Sequence, residues 1–105
     1  MLTGKYLDGA VPAGSRGSLS AGMWRQNEHS TPATKAYLEV AKKHGLDVAQ
    51  MAIAFALTRP FMSSVIIGAT TMDQLKTNIA AADLTLSAAV LVDIDAVHRR
   101  LPRPI

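Results

Sequence analysis

The chain has 105 residues, 49% hydrophobic and 18% charged, with a net charge of +3 and a pI near 9.6. Those values describe one small domain or part of a larger one, apolar enough to need a core, and exclude a disordered or fibrous chain. The absence of cysteine excludes disulfides, thiolate metal sites and a thiol nucleophile, while the mild positive charge suits an anionic ligand without arguing for nucleic acid. No run approaches the roughly 18 apolar residues of a membrane span, and MLTGKYLDG lacks the apolar region of a signal peptide. The expectation is a cytoplasmic protein with no nucleic-acid or membrane partner.

Residues 1 to 30 hold five of the seven glycines and the single tryptophan, with no sustained period. They read as one long loop, and long ordered loops more often carry function than not. Met1 and Leu2 run at once into Thr-Gly-Lys-Tyr, which is how a join inside a domain is expected to look. Met23 and Trp24 either line a substrate pocket or anchor the loop, and His29 is a candidate for contact with substrate. From Thr31 the pattern is helical: Thr31 can cap, Pro32 fits the first helical position, and Tyr37, Val40, Ala41 and His44 share a face. Gly45 closes that helix as a left-handed residue. Asp47 to Gln50 is a capping box opening an apolar helix over 48 to 58, which Pro60 ends. Met51, Ile53, Ala54, Phe55 and Leu57 cover most of its circumference, so burial on more than one side is expected. The pair has the spacing of a helix-turn-helix, but its second helix offers only Gln50 and Thr58 for reading bases, which argues against DNA.

Val65, Ile66 and Ile67 are a short β-branched run, and a strand over 64 to 68, covered on both faces, is predicted there. Gly68 lets the chain turn or lets a ligand approach, and Thr71 to Gln74 is a T-x-x-Q capping box opening a helix over 72 to 83. The free N–H groups of that helix start would favour a phosphate above the strand; the same residues also describe an ordinary capped helix. A last helix over 87 to 101 turns Val90, Leu91, Ile94, Val97, His98 and Leu101 inward. His44 and His98 read as structural, with no acid or serine at a useful spacing. One strand cannot pair its own backbone groups, so the order loop, helix, helix, strand, helix, helix implies an unusual helical domain or strands missing upstream.

Four stretches carry a family resemblance: LTGKY at 2 to 6, PAGSR at 12 to 16, GLDVAQMAIAFAL at 45 to 57 and IIGATTMDQLKTNI at 66 to 79. In content and order they resemble the C-terminal part of the aldo/keto reductases, in the branch of Tas-like proteins and potassium channel β-subunits. The resemblance implies an α/β fold class: a C-terminal fragment of a (β/α)8 TIM barrel, its last strand with the surrounding helices, mostly helical as it stands. Residues 1–105 would be the C-terminal part of the reductase domain, with 1–30 a loop covering the cofactor and 31–105 its helix-helix-strand-helix-helix portion. Ligands of such barrels bind at the carboxyl ends of the strands, and phosphates often near the last ones.

The family's NADP(H) would then meet six residues here. Gly68 and Thr70 would lie under the adenosine 2′-phosphate, Gln74 would reach the ribose, and Asn78 the adenine edge. Lys5 and Arg16 resemble residues that fold over the pyrophosphate and the 2′-phosphate. Many relatives carry a basic residue where Thr70 or Gln74 stands and an acid where Thr77 stands, so Arg16 would supply most of the positive charge. Read without the resemblance, Lys5 and Arg16 are also ordinary solvated loop charges, Gln74 completes a capping box and Asn78 is a helix-surface residue. The family's catalytic Asp, Tyr, Lys and His lie in the first half of the barrel, and none of those motifs occurs here; Tyr6 and Tyr37 fall in the wrong segments. No catalytic residue and no metal ligand is therefore assigned. The expectation is a partial NADP(H) site, part of an oxidoreductase whose full-length relatives transfer a hydride between NADPH and an aldehyde or ketone. The isolated chain is expected to be inactive and marginally stable, with the missing N-terminal barrel portion or self-association as its partner. The alternative is a non-catalytic remnant or interaction module that keeps a nucleotide-binding surface.

Overall fold

The computed structural model describes residues 2–19 and 27–102. Five α-helices run through them in order: α1 (Arg16–Leu19), α2 (Ser30–Lys43), α3 (Val48–Leu57), α4 (Met72–Ala80) and α5 (Ala88–Arg100), with 3₁₀ turns at Leu7–Gly9 and Ala81–Asp83. Helix α2 packs on α3 and α5, and α3 packs in turn on α4 and the turn after it.

Local chemistry sets most of the ends. Gly45, at φ +65, lets the last turn of α2 close on itself. Its N–H donates to Lys42 O at 3.2 Å and the Leu46 N–H to Ala41 O at 2.8 Å, the paired bonds of a Schellman cap. Asp47 Oδ1 accepts the Gln50 N–H at 2.9 Å, while the Gln50 amide leaves the cap and donates through Nε2 to Thr77 O at 3.0 Å, tying α3 to α4. Thr71 and Ser87 cap α4 and α5 through their hydroxyls. The start of α2 differs from the prediction. Thr31 is already inside the helix, and Asn27 organises the entry: its Oδ1 accepts the N–H groups of His29 and Ser30, and the Ser30 hydroxyl donates to Asn27 O at 2.7 Å. Pro32 is still in the first turn, where its missing N–H costs nothing.

The core joins Val40 and Ala41 of α2, Val48, Met51 and Ala54 of α3, Leu86, and Val90, Ile94 and Val97 of α5. Met51 is its largest fully buried side chain, at 2% exposure. Two expectations about packing are corrected. Only one flank of α3 is fully buried; Ile53 and Phe55 are half-buried and Leu57 is exposed, because nothing described here covers that side. On α5, Leu91 and Leu101 are half-buried, and His98 is exposed rather than turned inward.

The predicted strand is the larger correction. Residues 64–69 belong to no strand, and no strand occurs among the described residues. Val65 is half-buried while Ile66 stands 97% exposed. A β-branched run becomes a strand by exchanging backbone hydrogen bonds with a neighbour, and here it has none to exchange them with.

Candidate functional site

The residues after the β-branched run form a tight cluster at the start of α4. Thr71 Oγ1 accepts the Gln74 N–H at 3.2 Å, as an N-cap should. The Gln74 side chain does not return to Thr71. Its Oε1 accepts both the backbone N–H of Thr70, at 2.9 Å, and the Thr70 hydroxyl, at 3.1 Å. Two donors from one residue thus converge on a single oxygen. One turn further, Asn78 Nδ2 donates to Gly68 O at 3.4 Å. Gly68, Thr70, Gln74 and Asn78 are brought together, and a Cβ added at Gly68 would meet nothing within 4 Å.

Lys5 and Arg16 belong to a second cluster, in the N-terminal loop. Tyr6, next to Lys5 in the chain, is 7% exposed. Its hydroxyl oxygen accepts the Gly17 N–H at 3.1 Å, and the Lys5 ammonium stands 5.2 Å from the centre of its ring. The neighbouring Ser15 hydroxyl, the Gly17 N–H and the Lys5 charge together lower the Tyr6 pKa from the usual 10.0. Ser15 is buried, and although it lies close enough to act on the phenol, its Oγ falls short of hydrogen-bond geometry and has no partner. The loop is fixed to α2 at two further points. Asp8, in the left-handed region at φ 56, pairs with Lys35 at 2.7 Å. Gly4, at φ +75, lies so close to α2 that a Cβ would come within 2.9 Å of Leu38.

Gly68 and Asn78 of the first cluster border an open cleft of about 700 Å³, to which Leu2 and Thr3 also contribute, whereas Lys5, Tyr6, Ser15, Arg16 and Gly17 do not line it. That volume lies in the range of small-molecule sites. Its floor is apolar, built from Ala33 and Tyr37 of α2, Ala52 and Phe55 of α3, and Val65 and Ile67. Burial raises the Tyr37 pKa above 10.0.

The other candidates fall elsewhere. His29 makes a surface pair with Glu28 at 3.4 Å, and His98 lies at the rim of the cleft. His44 is structural: its Nε2 and the Lys43 ammonium both reach Asp93 Oδ2 at 2.7 Å, joining the end of α2 to α5. Met23 and Trp24 lie outside the described residues. No group of three or more His, Cys, Asp or Glu that could hold a metal occurs among the described residues. The sequence reading missed Tyr6, Ser15 and Gly17. The spacing of GKY and GSRG offered no sign that these segments touch, since eight residues separate Tyr6 from Ser15.

The four sequence stretches that carry the resemblance lie in this part of the fold and in its N-terminal loop, and the family model for aldo/keto reductases matches residues 1–99. The chain belongs to the aldo/keto reductase family. It is 54% identical over 99 residues to Protein tas of Escherichia coli K12, an alignment covering 93% of this chain and 29% of that protein. It is 35% identical over 109 residues to a probable voltage-gated potassium channel subunit beta of Oryza sativa, covering 98% of this chain and 33% of the relative. Against the L-glyceraldehyde 3-phosphate reductase of Escherichia coli K12, identity is 35% over 102 residues, 90% of this chain and 29% of that protein. The chain therefore spans about a third of the length of the curated relatives it matches. No described helix of this family member is long and apolar enough to cross a membrane.

Proposed function

We propose that this chain supplies the adenosine-phosphate end of an NADP(H) site in an aldo/keto reductase, completed by the first part of the barrel. The observation that carries this reading is the convergence of the Thr70 N–H and hydroxyl on one oxygen. Two preorganised donors aimed at one acceptor, beside a helix start and under a glycine that leaves the approach open, fit a phosphate oxygen. In the free chain the Gln74 Oε1 takes that position.

Thr70 would hold the 2′-phosphate, and Gln74, on giving up its own bond to Thr70, would turn to the ribose. The Asn78 amide can both donate and accept, which suits an adenine edge. Lys5 and Arg16 bring positive charge from the loop, and residues 1–30 would cover the bound cofactor. The cofactor itself supplies the hydride that the family transfers to an aldehyde or ketone. This chain's residues bind and orient; the acid that protonates the carbonyl oxygen belongs to sequence outside it, and the isolated chain is proposed to be inactive.

The cleft supports the completion of the barrel. Half-buried Ile53, Phe55 and Val65, with the exposed Ile67, form an apolar surface that water reaches, the kind that a domain covers when it is whole. The strand over 64–68 would then form between strands of the missing portion.

NADPH fluorescence titration of the chain tests the reading. Micromolar binding that is lost on Gln74→Ala and Asn78→Ala is the expected result. An NADPH signal that does not change at any concentration would sink it and favour a non-catalytic remnant.

A further inference from the structure

We infer that Tyr6 is a positioning residue that clamps the N-terminal loop at Gly17 and so holds Lys5 and Arg16 together to meet a phosphate-bearing ligand. This rests on the nicotinamide reading above for the identity of the ligand, and on the geometry of the loop for everything else.

Lys5 is the neighbour of Tyr6 in the chain, and Arg16 is flanked by two residues that surround the Tyr6 hydroxyl. On one side of Arg16, the Gly17 N–H donates to that hydroxyl at 3.1 Å. On the other, the buried Ser15 hydroxyl lies beside it. One side chain therefore closes a loop of ten residues, with Lys5 next in the chain to one partner of the contact and Arg16 to the other. The contact is too tight to be incidental. A Cβ added at Gly17 would come within 2.9 Å of the Tyr6 ring, although the backbone of Gly17 needs no positive φ. Glycine is required there by the ring alone.

The loop's charges are sorted in the same way. Asp8, the acidic residue of 2–19, is drawn to α2 by Lys35. Lys5 lies over the Tyr6 ring instead. Ser15 Oγ, buried beside the phenol, has no hydrogen-bond partner of its own.

The test compares NADPH and NADH affinities of the full chain with those of Tyr6→Phe, Gly17→Ala, Arg16→Ala and the Tyr6→Phe/Arg16→Ala double variant. Tyr6→Phe should weaken NADPH binding about tenfold, as expected for one charge-assisted hydrogen bond misplaced, and NADH binding less. The double variant should be no weaker than Arg16→Ala, because Tyr6 acts through the cation. Gly17→Ala should behave as Tyr6→Phe does. Equal losses for both nucleotides, or fully additive ones, would reduce Tyr6 to a stability residue and overturn the proposal. If the unmodified chain binds neither nucleotide, NMR with inorganic pyrophosphate decides separately. Shifts of the Arg16 Nε–H signal that vanish in Tyr6→Phe keep the clamp while the nicotinamide reading falls. No shift in either protein overturns the clamp as well.

Discussion

Gln74 has two roles at the residue scale, and they predict a distinctive substitution series. It donates its N–H to the Thr71 cap and offers its Oε1 to both donors of Thr70. Gln74→Glu would place a carboxylate where the glutamine oxygen sits, strengthening those bonds and repelling a phosphate. NADPH affinity should therefore fall further in Gln74→Glu than in Gln74→Ala, by about tenfold, in a fluorescence titration. The two tyrosines should also separate on titration. Tyr6 ionises below 10.0, favoured by Ser15, Gly17 and Lys5, and Tyr37 above it, because burial opposes the phenolate. Ultraviolet absorbance against pH should show two steps, and Tyr6→Phe should remove the earlier one. Asp93 gives a dependence at the acid end. Hydrogen bonds from Lys43 and then His44 lower its pKa below 3.8, so its contribution to stability is present above that value. It is lost as the pH falls through the lower folded value. The melting temperature of Asp93→Asn should fall less steeply than that of the parent below about pH 4, and an unchanged slope would show that Asp93 is not the group responsible.

At the scale of elements, the helices carry their own start and stop signals. Gly45 in its left-handed conformation closes α2 and Asp47 opens α3 one residue after Leu46. Gly45→Ala should cost about 1 kcal/mol and Asp47→Ala a similar amount, read from urea unfolding. Both signals were legible in sequence because capping is local: the donor and acceptor lie within six residues of each other. The start of α2 was misread by one or two residues because Asn27 could do for the backbone what Thr31 was expected to do. Nothing in the periodicity distinguishes a cap before the proline from one next to it. The candidate site divides in the same way. Gln74 and Asn78 follow from helical spacing, one turn apart on one face of α4, and Gly68 and Thr70 from the short segment that leads into it. The clamp made by Tyr6, Ser15 and Gly17 joins segments with no common period, and only their folded contact reveals it.

At the scale of the whole molecule, the described residues fold as packed helices. Its core is small, centred on Met51, and Met51→Ala should destabilise the chain by about 2–5 kcal/mol, enough to abolish a cooperative thermal melt if the parent is marginal. Beside that core, the cleft and the exposed Ile66 leave apolar surface open to water. Adding the first two thirds of a homologous barrel as a separate chain should protect the amides of 64–68 from hydrogen exchange, and Ile66→Lys should weaken that association. Protection that appears without the added chain would mean that the segment pairs by self-association instead. The sequence by itself determined α3, α4 and α5 with their opening caps, the body of α2 with its glycine end, and the family, because each depends on residues a few positions apart or on an ordered set of motifs. The tertiary structure alone decided that Gln74 occupies the place offered by Thr70 and that Tyr6 binds the loop around Lys5 and Arg16. It also left 64–69 outside any strand. The physical reason is common to all three: a side chain's partner, and a strand's ladder, are set by what lies next to it in space, and a β-branched run with no neighbour has the propensity of a strand without its hydrogen bonds.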